Sequence, residues 1–177
     1  MPADNTPLIE QPAWVGRTED LEKSTLDIGF IPLSDCAPLA IAYEKGFFER
    51  HGLRVTLRRE ASWASIRDKT VLGLFDAAHM LYPMPIASTL GIGGVKCPMV
   101  TAICLSLGGN AITVSNMLHD EMLGVSSDFT TDRATSAAAL KKTIESRDAA
   151  GKGPLRFGVV FPTSTHHYEL RFWMASA

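Results

Sequence analysis

The sequence predicts an α/β fold with a mostly parallel sheet, because strand-like and helix-like patterns alternate along residues 26–177. Short apolar runs bounded by turn residues are typical of buried strands, whereas apolar residues three or four positions apart are typical of helices. Alternation at this spacing favours parallel pairing. In such sheets ligands gather where the carboxyl ends of strands meet the amino termini of helices, so functional residues are expected there.

The first half of the pattern contains two strands and two helices. The apolar run at 26–33 predicts a strand, and 35–52 predicts a helix with Pro38 in its first turn and Gly52 just past its end. Residues 54–58 alternate polar and apolar, which predicts a second strand. A helix is expected from Ser62 to near Gly73, with Ser62 as its cap.

The second half is read in the same way. The predicted strands are 77–81, 99–105, 111–115 and 155–161, and Pro83-Met84-Pro85 predicts a turn before a short helix at 86–90. Residues 120–132 are expected to form a loop. Helices are predicted at 134–148 and 163–177, where apolar residues recur at helical spacing.

Composition limits the class of protein. The 177 residues are 46% hydrophobic and 20% charged with a net charge of −2, which indicates a globular chain and gives no basic stripe for nucleic acid. The most apolar segments are interrupted well before about 18 residues, so no transmembrane helix is predicted. Cys36, Cys97 and Cys104 are an odd number without CxxC spacing. They indicate neither a disulfide framework nor a zinc site, and no other metal or cofactor is predicted.

Residues 1–24 are predicted to be a flexible leader. They are polar and acidic, with three prolines, and lack the basic start, apolar middle and cleavage site of a secretory signal. We therefore expect a cytoplasmic protein. The alternative is a periplasmic or membrane-associated protein whose export leader is missing from this sequence.

The segment around Trp63 is the most informative for function. Ser62 caps the predicted helix, and the first N–H groups of a helix have no internal acceptor and lie at the positive end of its dipole. These groups form an anion site, beside which an aromatic ring offers a flat wall for a planar anion. The alternative is that Ser62 only caps the helix and Trp63 only packs in the core.

Several motifs together resemble the nitrate/bicarbonate solute-binding family of ABC transporters, together with its cytosolic nitrate/nitrite sensor branch. The motif shared by many binding proteins, EKGFF at 44–48, is weakly specific, but the ordered set is strong. The remaining motifs are GFIPLSDCAPL at 29–39, ASW at 61–63, DAAHMLYPMP at 76–85, GNAITVS at 109–115, and FP at 161–162 followed by TH at 165–166 and RFW at 171–173.

The resemblance implies a type II periplasmic-binding-protein clamp of two α/β lobes with the ligand between them. Members of the family are longer, so this chain is expected to supply residues 25–116 as most of lobe one. Residues 117–177 would then be the crossover and the beginning of lobe two, in a truncated protein. The last predicted helix has no terminating Gly or Pro, which agrees with truncation.

The resemblance also implies a ligand and a set of ligand-binding residues. Carried over by motif, Trp63, Asn110 and His166 contact nitrate or nitrite, with Ser62 and Ala64 at the helix start supplying donors. The resemblance implies a threonine at the position of His166 in the bicarbonate branch, so His166 favours nitrate or nitrite. Bicarbonate is the alternative ligand. The expected partner is an ANTAR-type antiterminator protein in a sensor role or an ABC permease in a transport role.

Other interpretations of these residues stay open. Asn110 follows two glycines and is also typical of a turn, His166 of a helix surface, and His79 of a satisfied core or cleft histidine. Asp35 is expected to cap its helix. An enzyme is the less favoured class: thiamine-pyrimidine synthases share the clamp fold, but the isolated cysteines lack their metal motif and no catalytic triad pattern is present.

Overall fold

A computed structural model of the chain describes residues 21–177, and its sheet is parallel. The three strands are β1 (Thr25–Phe30), β2 (Arg54–Arg59) and β3 (Ala77–Ala78), in the spatial order β2-β1-β3. Thr25 lies opposite Arg54, and Ile28 lies opposite Ala77. The predicted α/β class is confirmed. Residues 1–20, predicted as part of the leader, lie outside the described residues.

Within residues 21–177, seven α-helices connect and follow these strands. After a 3₁₀ turn at Ser34–Cys36, the helices are α1 (Ala37–Glu44), α2 (Phe47–Arg50), α3 (Trp63–Val71), α4 (Pro83–Leu90), α5 (Asn116–Val125), α6 (Arg133–Ala149) and α7 (Thr165–Ala175). The predictions of α3, α6 and α7 are confirmed within about two residues, the usual uncertainty of helix ends. None of the helices in residues 21–177 is both long and apolar enough to cross a membrane.

Three helix predictions need correction. The helix predicted at 35–52 is broken, because Gly46 adopts the left-handed conformation (φ 66°) that ends one helix and starts another. The predicted loop at 120–132 contains most of α5, whose cap Ser115 accepts the N–H of Leu118. α4 begins at Pro83 rather than after the proline turn, since proline fits the first helical position.

The strand predictions beyond β3 are wrong. Residues 99–105, 111–115 and 155–161 form no strand, and only Ala77–Ala78 of the predicted 77–81 pairs in the sheet. An apolar run becomes a strand only when a neighbouring strand accepts its hydrogen bonds, and these runs have no such neighbour among the described residues. As a result, Val100 is 94% exposed and Leu107 is 92% exposed.

The buried side chains fall into two regions. One lies around the sheet and α3, where Ile28, Val55, Ile66 and Phe75 are buried. The other lies between α5, α6 and α7 and contains Leu118, Met122, Phe129, Ala137, Ala139, Leu140, Leu170 and Trp173. The boundary between residues 116 and 117 stays a prediction.

Candidate functional site

The first turn of α3 lies at the carboxyl end of β2 and has the predicted serine cap. Ser62 is extended (φ −150°, ψ 150°), and its Oγ accepts the N–H of Ser65 at 3.1 Å. The Ile66 N–H then bonds to the Ser62 carbonyl. By helix geometry, the N–H groups of Trp63 and Ala64 have no intrahelical acceptor, so two donors point out of the positive end of the helix.

Glu60 is the acidic residue nearest to this helix start in the sequence, and its charge is compensated. Its carboxylate accepts hydrogen bonds from Lys69 Nζ and from Ser65 Oγ. The hydrogen bond from Lys69, and then that from Ser65, hold the pKa of Glu60 below its ordinary value. Because Lys69 is already paired with Glu60, backbone donors rather than this lysine are the groups offered to an anion here.

The ring of Trp63 is more buried than a ligand wall requires. Trp63 is 8% exposed, and its ring packs edge-to-face against His79 with centroids 5.1 Å apart. Most of the indole is therefore core, as the alternative interpretation of Trp63 expected. Only its small exposed part is available to a ligand, and its role as a wall stays a prediction.

His79 is buried behind Trp63 and is paired with Asp35, which is only half-buried. His79 Nε2 lies 3.2 Å from Asp35 Oδ2, but among residues 21–177 neither His79 Nδ1 nor Asp35 Oδ1 has a hydrogen-bond partner. The sequence interpretation of His79 is a satisfied core or cleft histidine; it is buried as expected, but only one of its two ring nitrogens is paired within the described part of the chain. The capping prediction for Asp35 is wrong, since no side chain caps the 3₁₀ turn or α1.

Asn110 is placed against α7 rather than at the start of α3. Its Nδ2 donates to Oε2 of Glu169 at 3.0 Å. Both residues line an open cavity of about 760 Å³ whose walls also come from α5 and α6, and whose lining includes neither Trp63 nor His166. The structure therefore does not gather the predicted ligand residues in this one cavity. The assignment of Asn110 as a ligand stays a prediction.

His166 lies at a second helix start that resembles the first. Ser164 is fully buried, and its Oγ accepts the N–H of His167 and donates to the Phe161 carbonyl at 2.7 Å. The N–H groups of Thr165 and His166 are left without intrahelical acceptors. His166 is half-buried, and its Nδ1 has no partner among the described residues.

Arg67 connects α3 to the chain that leads into α7. Its guanidinium lies 5.8 Å from the centre of the Phe161 ring, and Nη1 reaches the Gly93 carbonyl at 3.4 Å. The residue is four positions after Trp63, so both lie on one face of α3. Sequence reasoning missed this cation, although the four-residue spacing was visible.

Comparison with known proteins places the chain in a family. Residues 19–177 match the model of the NMT1-like family. The chain belongs to this family. The match covers all of β1–β3 and α1–α7.

Among its relatives, the chain is 42% identical over 158 residues to the nitrate import ATP-binding protein NrtC of Synechocystis, covering 88% of the chain and 22% of NrtC. It is 34% identical over 172 residues to the bicarbonate-binding protein CmpA of Synechococcus elongatus, covering 94% of the chain and 36% of CmpA. It is also 34% identical over 161 residues to the nitrate/nitrite binding protein NrtA of Nostoc, covering 88% of the chain and 33% of NrtA.

The solved structure of a further relative shows the same fold. The periplasmic nitrate-binding protein NrtA from Synechocystis superposes with a TM-score of 0.67 at 33% identity, over 87% of this chain and 38% of that protein. The predicted periplasmic-binding-protein fold is confirmed, and the chain spans well under half the length of these relatives. The sensor branch and its antiterminator partner stay predictions.

Proposed function

We propose that this NMT1-like chain contributes part of a binding site for a planar oxyanion, nitrate or nitrite, in a solute-binding component of an ABC transporter. The observation that carries the proposal is the first turn of α3. There, the backbone N–H groups of Trp63 and Ala64 lie beside the Trp63 ring at the carboxyl edge of a parallel sheet. The serine-capped start of α7 at His166 supplies a second set of donors.

The chemistry of this arrangement is binding rather than reaction. Nitrate and nitrite are hydrogen-bond acceptors only, so an array of N–H donors suits them, and hydrogen bonds to an ionised acceptor are stronger than neutral ones. Relatives of this chain include proteins named for binding an anion. The proposal therefore assigns the chain no catalytic residue.

Bicarbonate is the second candidate ligand, since a bicarbonate-binding relative is as similar to the chain as a nitrate/nitrite-binding one. His166 favours nitrate or nitrite under the family resemblance described above. Among partners, transport components are supported by the relative named as a nitrate import ATP-binding protein. A sensor role in the cytoplasm rests on the sequence prediction alone.

An anion titration of the 177-residue chain, followed through its backbone amide resonances by NMR, tests the proposal. We expect nitrate, at up to about 100 mM, to shift the amides of Trp63 and Ala64 with an affinity in the millimolar range, because Ala61 and Ser62 at this helix start are exposed and water weakens each hydrogen bond to the anion. Nitrite should act similarly and chloride at matched ionic strength should not. Shifts spread evenly over the molecule, or none, would overturn the proposal.

A further inference from the structure

His79 is held in place from both its backbone and its ring. Its N–H donates to the Gly29 carbonyl at 2.9 Å, which continues the pairing of β3 with β1 one residue past the strand. The side chain is 4% exposed. A residue fixed in this way has little freedom to turn its ring, so the ring is a rigid support for whatever packs against it.

The ring of His79 supports two groups at once. It packs edge-to-face with Trp63 at 5.1 Å and 76°, and its Nε2 lies 3.2 Å from Asp35 Oδ2. Asp35 follows β1, Trp63 follows β2 and His79 follows β3. The three residues therefore meet at the carboxyl edge of the sheet, where the candidate anion site lies.

A purely structural core is a poor explanation of this pair. His79 Nδ1 and Asp35 Oδ1 are buried without a partner among residues 21–177, and unpaired buried polar atoms destabilise a fold. A phenylalanine or leucine at position 79 would fill the space behind Trp63 without that cost. The polar pair thus needs a role besides filling the core.

We propose that His79 is a positioning residue for the oxyanion site: braced by Asp35, it fixes the Trp63 ring and with it the first turn of α3. This inference rests on the proposed function. Trp63 is the first residue of α3, so a shift of its ring is carried to the two N–H donors. His79 acts through Trp63 and does not itself touch the anion.

Two substitutions separate the two supports that His79 gives. His79→Phe keeps a ring against Trp63 and loses the contact with Asp35, whereas His79→Gln keeps a polar group for Asp35 and loses the ring. In the nitrate titration by NMR, we expect each to weaken the affinity by about tenfold or less, but measurably. If one variant does not fold, the other decides the question.

The matched control is His119→Phe. His119 also packs edge-to-face on an aromatic ring, Phe129 at 5.4 Å, and its Nδ1 lies 3.1 Å from Asp120, but it is on α5. This variant should bind nitrate as the parent chain does.

The decisive readout is non-additivity with Trp63. In a Trp63→Phe background, the His79 substitutions should cause no further loss of nitrate affinity, whereas a general loss of stability would lower affinity equally in both backgrounds. The positioning role alone is overturned if the losses of nitrate affinity from the His79 and Trp63 substitutions add. It is also overturned if the His79 variants bind nitrate as the parent does. A parent chain that shows no nitrate response overturns the proposed function together with it.

Discussion

Gly29 of β1 lies in close contact with Phe75 and with Ile66 of α3. A Cβ at this position would lie 2.5 Å from two ring carbons of Phe75 and 3.2 Å from Ile66 Cδ1. Both neighbours are buried, so neither side chain can move aside into solvent. The absence of a side chain at Gly29 therefore allows α3, and with it the candidate site, to pack against the sheet.

Gly29→Ala should destabilise the chain by about 1–3 kcal/mol, the usual range for overpacking. Urea unfolding followed by circular dichroism measures it. Gly124→Ala in α5 is the control, because nothing lies within 4 Å of the added Cβ. That change should stabilise the helix by about 0.5–1 kcal/mol. A Gly29 variant as stable as the parent would contradict the close packing described here.

Trp63→Ala should cost about 3–5 kcal/mol of unfolding free energy, because the ring is buried against His79. Trp63→Phe should cost less, since a ring remains in the same place. Chemical denaturation of both variants checks the order. If the alanine variant were nearly as stable as the parent, the ring would be the exposed ligand wall that the sequence first indicated.

At the scale of elements, α5 and α6 are joined by a charged cluster. Glu121 accepts hydrogen bonds from Arg147 Nη1 at 2.8 Å and from Lys152 Nζ at 2.8 Å. The hydrogen bond from Lys152, and then that from Arg147, lower the pKa of Glu121 from its ordinary 4.5. A carboxyl group whose pKa is lower in the folded state stabilises the fold above its unfolded pKa and loses that effect as pH falls towards the folded value.

The packing of α5 on α6 should therefore weaken as the pH falls below 4.5. Glu121→Gln should be less stable than the parent at neutral pH and should show a flatter loss of stability in acid. Helical circular dichroism during acid titration measures both effects. Glu145→Gln, at an exposed position of α6, is the control. Equal acid midpoints for Glu121→Gln and the parent would count against the cluster.

Sequence reasoning succeeded for elements whose signals are local and failed for those that depend on partners. α3 was predictable from Ser62 and the spacing of Trp63, Ile66 and Thr70, and its cap is as expected. α5 was missed, although it has the same local signal, a capping serine (Ser115) followed by apolar residues at helical spacing (Leu118 and Met122). No local signal shows whether the strand-like runs after β3 have neighbours to pair with.

The candidate site shows the same division. The helix start at Ser62 was predictable because capping is local, and its serine cap is as expected. The pair of His79 with Asp35 joins residues 44 positions apart in the sequence, through the order β2-β1-β3. The contact of Asn110 with Glu169 is longer in range still, and neither was visible in any motif.

For the whole molecule, the long irregular segment between α4 and α5 is the most unusual feature. Residues 99–114 take part in no helix or strand, and Val100 and Leu107 are almost fully exposed. The amides of residues 100–114 should therefore exchange hydrogen rapidly, while those in the middle of α6 exchange slowly. Hydrogen exchange read by mass spectrometry checks this. If the amides of residues 99–105 or 111–115 were as well protected from exchange as those of β1, the strands predicted there would be supported.

The donors at the start of α3 are tested most directly by Ala64→Pro. Proline at the second helical position removes one N–H without removing an internal hydrogen bond, and α1 already carries Pro38 there. Ala134→Pro at the second position of α6 is the matched control. In the NMR nitrate titration, we expect Ala64→Pro to weaken affinity by about tenfold while the fold is retained, and Ala134→Pro to leave it unchanged. A folded Ala64→Pro variant that binds nitrate as tightly as the parent would contradict an oxyanion site at this helix start.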